Sequence, residues 1–503
     1  MGLINFMADK IRQKMWHFLQ VNPAQKSLLI IDENMDYLTS CAKNRIWYAG
    51  KSKQLSQLYG QLDVPNTMFW KAPMTAGMEI RKIHIPLASL IVDTIAKIVM
   101  SDYNGVEIIS KSSKSYAETW ADIEKDSKLD EILKTTLADL GIVGDGAFKI
   151  SFDKDVSDFP IIEWFPAERV KFKRNRGRII GIDFYTEYVK NGKRYRFEES
   201  YGYGYIKYEL EDDSGKEVPL NSIEGTSWID GKGVTFDKSV MWAVPVILGK
   251  SSQYKGRGKS LIEDKDEAFD SLDEAWSQWM DALRAGRTKQ YIPDCMIPKN
   301  PDTGEPVKPN AFDNRFIMVD NDMSENGGGN RIYTESPAIQ HESYLSSYIT
   351  ALDLCLQGVI SPSTLGIDVK KLDNAEAQRE KEKTTLYTRQ SYVELLESVI
   401  PQLVKTALNV NAIINNQPLV PDDLEVTLKF GEYANPSFES QVETVGKARQ
   451  SGIMSIEAGI DELYGDSKDN DWKAEEAKRI KEEMGIAVAE ETSEADDIQP
   501  IRF

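Results

Sequence analysis

The stretch KGRGKSLIEDKDEAFDSLDEAW (residues 255–276) joins a glycine-rich turn to the start of a long amphipathic helix. From Ser260 to about Arg284 the sequence contains neither proline nor glycine. Its apolar residues recur at spacings of three and four, which predicts a helix with one apolar seam. The seam consists of Ile262, Phe269, Leu272, Trp276, Trp279 and Leu283. Ser260 followed by Glu263 predicts an N-cap with a capping box at the start of this helix.

The remaining faces of the predicted helix are acidic. They carry Glu263, Asp264, Asp266, Glu267, Asp270, Asp273, Glu274 and Asp281. Grouped carboxylates are what a two-metal nuclease requires, so magnesium-dependent DNA cleavage is one alternative function. These acids spread around the helix without a histidine or a gathering loop, and this favours a solvated helix face instead.

The glycine-rich turn contains the letters of a phosphate-binding loop. Such a loop needs a glycine five residues before the glycine of its Gly-Lys pair, so that backbone N–H groups can surround the phosphates. Counting back from Gly258 gives Gln253, and counting back from Gly249 gives Val244. The spacing therefore excludes a phosphate loop and predicts that Gly256 and Gly258 form a tight turn.

The sequence offers few residues that could form a metal or cofactor site. The three histidines (His17, His84 and His341) and the three cysteines (Cys41, Cys295 and Cys355) are scattered, without paired spacing. This argues against a zinc site, a disulfide framework and a Ser-His-Asp centre. We expect no enzyme activity, no cofactor and no metal.

The net charge of the 503-residue chain is -19, which argues against tight electrostatic binding of DNA. It is compatible with a surface past which DNA slides, because like charges repel the phosphates. The most apolar segment, residues 85–100, is interrupted by Asp93 and Lys97. It predicts a buried helix and no membrane partner.

The order of predicted elements gives an α+β chain with several domains. Helices precede a β-rich region, in which Asn191-Gly192 predicts a hairpin turn. After the acidic helix, residues 288–338 read as a small insertion with short strands. A second helix follows from about His341 to Val359, with Leu345, Tyr348, Leu352, Leu356 and Val359 in its seam. A polar helix begins at Asn374 and is predicted to end at Pro401, and the last residues predict a disordered tail.

One loop between the long helices carries a local basic pair. Lys370 and Lys371 lie in DVKKLDN (residues 368–374). By themselves they indicate two solvent-exposed lysines near a helix start.

The order of these elements, together with several short strings, resembles the portal proteins of tailed bacteriophages, and most closely the SPP1-like portals. The resemblance covers roughly residues 35 to 485. It is carried by WFPAERVKF (164–172), VPVI (244–247), the stretch at 255–276, NAEAQREKEKTTLYTRQ (374–390) and SGIMSIEAGIDELYG (451–465). In the last of these, Gly452, Met454, Ser455 and Glu457 match the family's G-x-M-S-x-E arrangement.

The resemblance implies a multi-domain portal fold with a mixed α/β wing, long stem helices, a small β-containing clip and a helical crown. The implied boundaries are 1–255 for the N-terminal wing, 256–287 for the first stem helix, 288–338 for the clip, 339–360 for the second stem helix, 361–373 for the tunnel loop, 374–433 for the long helix and strand returning to the wing, 434–488 for the crown and 489–503 for the tail.

The resemblance also implies a function. Portals form homo-oligomeric rings, usually of twelve subunits, at one capsid vertex of the virion, and they assemble in the bacterial cytoplasm. Double-stranded DNA passes through the ring during packaging and ejection. Implied partners are terminase, a head–tail adaptor, and the major capsid and scaffolding proteins.

The resemblance assigns roles to particular residues. Lys370 and Lys371 would approach DNA in the channel. The acidic stem face would consist of Glu263, Asp264, Glu267, Asp270, Asp273 and Glu274. The seam between neighbouring subunits would consist of Phe269, Leu272, Trp276, Trp279, Leu283, Leu345, Leu352 and Leu356. The alternatives are the metal-dependent nuclease and another capsid-associated structural protein.

Overall fold

The chain is α+β, as the sequence predicts. A computed structural model describes residues 36–74, 80–109, 113–227, 229, 231–307, 316–320, 331–367, 375–421, 423–431, 438–465 and 468–483. Residues 1–35, the basic pair Lys370 and Lys371, the predicted cap Asn374 and the predicted tail 489–503 lie outside the described residues. The chain divides into two compact units, Met1–Lys429 and Phe430–Phe503.

The described residues form helices and four separate sheets. The helices are α1 (Tyr37–Ala49), α2 (Ser52–Gln61), α3 (Leu87–Ser101), α4 (Ser113–Ser127), α5 (Leu129–Val143), α6 (Asp266–Ala285), α7 (His341–Leu356), α8 (Ala375–Ile414), α9 (Phe438–Gln450), α10 (Ile456–Tyr464) and α11 (Asn470–Glu483). The strands are β1 (Tyr103–Ile109), β2 (Asp145–Ser151), β3 (Ile161–Pro166), β4 (Val170–Asn175), β5 (Arg178–Lys190), β6 (Lys193–Gly202), β7 (Tyr205–Asp212), β8 (Gly233–Thr235), β9 (Ala243–Ile247), β10 (Lys289–Pro293), β11 (Phe316–Val319), β12 (Tyr333–Glu335) and β13 (Glu425–Phe430).

Helix α3 forms the centre of the core of the first unit. It packs against α1, α5 and α8. Its buried residues are Leu87, Ala88, Ile91, Val92, Ile95, Ala96 and Val99. The prediction of a buried helix in this segment is confirmed. In the part of the chain that the structure describes, no helix is long and apolar enough to span a membrane.

Two sheets build the β-rich region. In the smaller sheet, β2 lies between β3 and β9, with antiparallel register on both sides. The larger sheet has the sequential order β4-β5-β6-β7-β8. The predicted hairpin turn joins β5 to β6, where Asn191 and Gly192 have φ values of 52° and 76°. Positive φ at both central residues is what a type I′ turn requires, so this prediction is confirmed.

Gly258 packs directly against the backbone of Gly144, at the end of α5. A Cβ at Gly258 would lie 2.0 Å from the Gly144 carbonyl oxygen. The Gly258 N–H donates to the Asp145 Oδ2 at 2.7 Å, so it does not face an open anion site. Gly256 has a φ of 81°. The predicted turn is confirmed for Gly256, whereas Gly258 lies just after the turn and is needed for the close approach to Gly144.

The predicted N-cap at Ser260 is wrong. The helix begins at Asp266, after a turn in which Asp264 has a φ of 63°. Ser260 is buried, and its hydroxyl donates to the Gly141 carbonyl oxygen at 2.9 Å and accepts from Ile262 N at 3.1 Å. The hydroxyl therefore fixes the turn to the end of α5 and does not cap α6.

The insertion between α6 and α7 contains the three predicted strands. They form one sheet in which β10 is the central strand, parallel to β11 and antiparallel to β12. The predicted second helix is α7.

The predicted end of the long polar helix at Pro401 is wrong. Helix α8 contains Pro401 and continues to Ile414. A proline inside a helix removes one backbone hydrogen bond. The turns after Pro401 bury Leu403, Val404, Ala407, Leu408 and Val410, and this apolar burial stabilises the continued helix.

The second unit consists of α9, α10 and α11, with α10 in contact with both others. Ser455 caps α10, because its hydroxyl accepts from Ala458 N at 3.1 Å. Tyr464 at the end of α10 packs edge-on against Trp472, with ring centroids 5.0 Å apart.

The close approach of Gly258 and Gly144 predicts a large effect of Gly258→Ala. The added methyl group would overlap a backbone oxygen, so we expect the unfolding free energy to fall by about 3 kcal/mol or more. Thermal unfolding measures this. Gly60→Ala is the control, because the space around Gly60 is open on helix α2. It should leave stability unchanged or raise it by up to about 1 kcal/mol. Equal stability of the two variants would contradict the close packing of Gly258 against Gly144.

Candidate functional site

Helices α6 and α7 form an antiparallel pair that carries the small β-sheet of the insertion at its far end. At the near end, the Lys265 Nζ donates to the carbonyl oxygens of Leu354 at 3.2 Å and Gln357 at 2.7 Å. At the far end, Ile339 packs over Gly286, where a Cβ would lie 2.4 Å from its side chain. The base of the pair is thus closed by a lysine that binds the C-terminal carbonyls of the other helix.

The predicted seam closes largely within one chain. Phe269, Leu272, Leu352 and Leu356 are buried between the helices and the body of the first unit. These four are therefore unavailable to a neighbouring subunit, which corrects the expectation of a seam between subunits. The reason is that α7 and the core supply the apolar partners that the sequence pattern demands.

The part of the helix pair that lies away from Lys265 is only half-buried. Trp276 and Trp279 are half-buried, and their ring centroids lie 5.5 and 6.3 Å from that of Tyr348. Leu283 and Leu345 are 41% and 43% exposed. The apolar surface that remains free therefore lies away from the anchored base.

The acidic face is not uniformly solvated, because Asp270 is buried. Its Oδ2 accepts from the backbone N–H of Phe69 at 2.7 Å, and its Oδ1 accepts from that of Trp70 at 3.1 Å. Burial raises the pKa of the Asp270 carboxyl, and the two backbone donors act in the opposite direction. This carboxylate anchors α6 to the segment before α3.

Asp273 is the second buried anchor. Its Oδ2 accepts from Trp70 Nε1 at 3.1 Å and lies 2.7 Å from His84 Nδ1, while its Oδ1 accepts from Ile85 N at 2.9 Å. Burial raises the pKa of the Asp273 carboxyl, opposed first by the hydrogen bond from His84. Buried carboxylates need such partners, because leaving a charge unpaired in the interior is costly.

Ser277 completes the row on this helix face. Its hydroxyl oxygen accepts from Ile83 N at 2.9 Å. Lys82 in the same segment donates to the backbone carbonyls of Phe69, Trp70 and Ala72. Asp270, Asp273 and Ser277 are spaced three and four apart, so they share one face of α6. That spacing was the available sequence signal for this anchor, and the acidic pattern obscured it.

The other acids of the predicted face lie outside this anchor. Glu263 accepts from the Ser251 hydroxyl at 2.8 Å, and Asp264 accepts from the Gln253 amide at 2.6 Å. Glu267 is exposed and Glu274 is half-buried. Among the described residues, no group of three or more metal-ligand side chains could hold an ion. The acids are therefore distributed over structural and surface positions.

The segment that leads from α7 towards the basic loop is fixed on α8. Thr385 is fully buried, and its hydroxyl accepts from Ser361 N at 2.9 Å and lies 3.0 Å from the Thr364 hydroxyl. Thr388 donates to the Val359 carbonyl oxygen at 2.5 Å. Residues 359–364, which precede the loop that carries Lys370 and Lys371, are therefore hydrogen-bonded to α8.

A shallow groove runs along the solvent side of the helix pair. Its volume is about 700 Å³, and small residues of α6 and α7 line much of it. They include Ala268, Ser271, Ala275, Ser347 and Thr350, with the half-exposed Leu354 at its edge.

Comparisons with known proteins give a partial likeness. No family model matches the sequence, and no curated protein matches it. A chain from the virion of a native gene transfer agent particle is 11% identical, with a TM-score of 0.39, and the match covers 86% of this chain and 93% of that one. A chain from the neck of a native particle, computed with C12 symmetry, is 10% identical, with a TM-score of 0.35 and coverage of 74% and 88%. A chain from the neck of an empty particle, computed with C6 symmetry, is 12% identical, with a TM-score of 0.35 and coverage of 79% and 91%.

The carboxylate anchor predicts a strong effect of Asp273→Asn. The amide presents an N–H₂ group where Asp273 accepts from its donors, so one donor loses its acceptor. We expect the unfolding free energy to fall by about 2–4 kcal/mol. Chemical denaturation followed by tryptophan fluorescence measures this, with Trp70 as the local reporter. Glu267→Gln changes the same charge at an exposed position of the same helix and should shift stability by less than about 0.5 kcal/mol. If both variants unfold at the same denaturant concentration, Asp273 is not an anchor.

Proposed function

We propose that this chain is a phage portal protein, which forms a ring at one capsid vertex through which DNA is packaged, retained and later ejected. The observation that carries the proposal is the helix pair formed by α6 and α7. Helices α6 and α7 pack against each other, α6 is fixed to the segment before α3 by Asp270 and Asp273, and the insertion between the two helices forms a small sheet. The sequence resemblance to portals implies stem helices and a clip at these same elements.

The surface of the pair supports self-association. Leu283 and Leu345 are each exposed by two fifths or more, and α6 is fixed to the first unit by Asp270 and Asp273. A solvent-facing apolar strip on a fixed support is typical of an interface that a second subunit covers. In a closed ring each subunit meets two neighbours, so the exposed leucines and the groove can each contact a different neighbour.

The charge of the chain fits passage of DNA. The net charge is -19, so the ring as a whole repels the phosphates and limits adhesion. In this proposal the role of the protein is mechanical and electrostatic. Terminase, the head–tail adaptor, and the capsid and scaffolding proteins are the proposed partners, and the virion is the proposed location.

The nuclease alternative loses its main support. Asp270 and Asp273 are the most buried acids of the cluster, and their oxygens accept hydrogen bonds from Phe69, Trp70 and Ile85. A two-metal site needs carboxylates that converge on a cavity. These two face a packed chain segment instead.

Electron microscopy of the purified protein tests the proposal, with a ring and a central hole as the expected result.

Leu283→Glu combined with Leu345→Glu should weaken the ring. Each buried leucine contributes about 1.5–3 kcal/mol, and every 1.4 kcal/mol changes association about tenfold. Mass photometry of diluted protein should then show smaller species. Val156→Glu is the control, because Val156 is 72% exposed outside the helix pair. A wild-type protein that remains monomeric at high concentration overturns the proposal.

Lys370 and Lys371 remain predicted channel contacts. In virions assembled with both changed to alanine, we expect rings of normal symmetry and altered packaging or genome retention, because a local phosphate contact is lost. The measurement is the amount of DNA per particle and its release on heating. Lys51→Ala with Lys53→Ala is a charge-matched control at exposed positions, with Lys51 just before helix α2 and Lys53 in its first turn. Normal packaging and normal retention would remove the proposed role of the pair.

A further inference from the structure

A strongly basic surface lies outside the helix pair, in a chain whose net charge is -19. It combines the tip of the β4–β5 hairpin with the loop at residues 249–259. The cations of this basic patch are Arg174, Arg176, Arg178, Lys250, Lys255 and Lys259. All six residues are exposed.

Direct contacts join the two segments. The Arg174 guanidinium donates to the Gly256 carbonyl oxygen at 2.8 Å and to that of Gly177 at 3.2 Å. Arg257 then lies over Phe172 of β4, 5.2 Å from its ring centroid. The hairpin tip and the loop therefore form one continuous surface.

The backbone of both segments is well defined. At the hairpin tip, Arg176 and Gly177 have φ values of 48° and 81°, which are the two positive values of a type I′ turn. In the loop, Ser251 N donates to Arg257 O at 3.1 Å and Lys259 N donates to Leu248 O at 2.7 Å. The two arms of the loop thus run side by side, with Lys255 near the tip.

Most of these cations form no hydrogen bond or ion pair with the rest of the described chain. Among the described residues, no hydrogen bond or ion pair engages the side chains of Arg176, Arg178, Lys250, Lys255 and Lys259. Arg257, by contrast, is an internal cation: it lies 3.0 Å from the buried Asp145 and donates to Ala167 O at 2.7 Å. The carboxylates of Glu263 and Asp264 lie at the base of the loop, held by Ser251 and Gln253. The outer surface therefore keeps a local excess of positive charge.

We propose that this basic patch binds the phosphate backbone of duplex DNA, independently of any contact in a channel. Arginines and lysines accompanied by small polar residues are the groups that contact phosphates. Here the neighbours are Asn175, Ser251, Ser252 and Gln253. A protein partner would instead require an apolar centre with few lysines. Gly258 N is already committed to Asp145, so the contact uses side chains and not a phosphate-wrapping backbone.

The experiment measures binding of a relaxed, closed-circular duplex by fluorescence anisotropy. Such DNA cannot thread a preformed ring, so its binding reports an external site, and the result does not depend on the proposed portal function. Wild-type protein should bind at low salt, and affinity should fall with salt with a log–log slope of about 0.9 for each phosphate contact.

The decisive variant combines Arg176→Gln, Arg178→Gln and Lys255→Gln. Losing three contacts should weaken binding at least about tenfold at about 0.1 M salt and reduce the slope by about 2–3. The control combines Lys51→Gln, Lys53→Gln and Lys154→Gln, which removes the same charge from exposed positions elsewhere. It should bind with the slope of the wild type. Thermal unfolding confirms that both variants are folded.

Three outcomes overturn the proposal. The first is a patch variant that binds DNA with the affinity and slope of the control. The second is a wild-type protein that does not bind the circle at about 50 mM salt. The third is displacement of the DNA by a polyglutamate of matched charge at equal concentration, which would assign the patch to an acidic protein surface.

Discussion

The two buried carboxylates of α6 are the constraint on which the rest of the first unit depends. Asp270 and Asp273 accept hydrogen bonds from the backbone of Phe69, Trp70 and Ile85. A buried carboxylate is stable only when such donors are present, so the helix can take one rotation about its axis and one position along it. This rotation decides which face of α6 meets α7 and which face meets solvent. The position of the insertion sheet follows, because that sheet continues from the far end of the fixed pair.

The same requirement separates two kinds of charge in this chain. Some charges are internal: Asp145 with Arg257, and Lys149 with Glu163 and Glu199, pair within 3.0 Å. Burial raises the pKa of Asp145 to about 6, and the nearby Arg257 guanidinium opposes that shift. Other charges are external and unpaired, such as Arg176 and Lys255 in the basic patch. Net charge alone does not distinguish them, since a chain of -19 still carries a cationic surface.

Local patterns predicted much of the fold, because they depend on residues close in sequence. Asn191-Gly192 specified a hairpin turn, and the apolar spacing after Ser260 specified a long helix. Predictions failed where a distant partner intervened. The cap predicted at Ser260 is wrong because its hydroxyl donates to the carbonyl oxygen of the distant Gly141. The helix end predicted at Pro401 is wrong because the following turns bury Leu403 and Val404 in the core. The many acidic residues of α6 likewise predicted a solvent-exposed helix face, although two of these acids are buried.

The sequence by itself determined the α+β class, the helix pair with its inserted strands, and the failure of the glycine-rich turn as a phosphate loop. These follow from periodicity, turn chemistry and residue spacing, which are local properties. Only the tertiary structure decided which acids anchor the helix, and that Phe269 and Leu272 close on the chain itself. It also brought the 249–259 loop against the β4–β5 hairpin to form one basic surface. The physical reason is that burial and charge pairing depend on contacts between residues far apart in sequence, and no short pattern contains both partners.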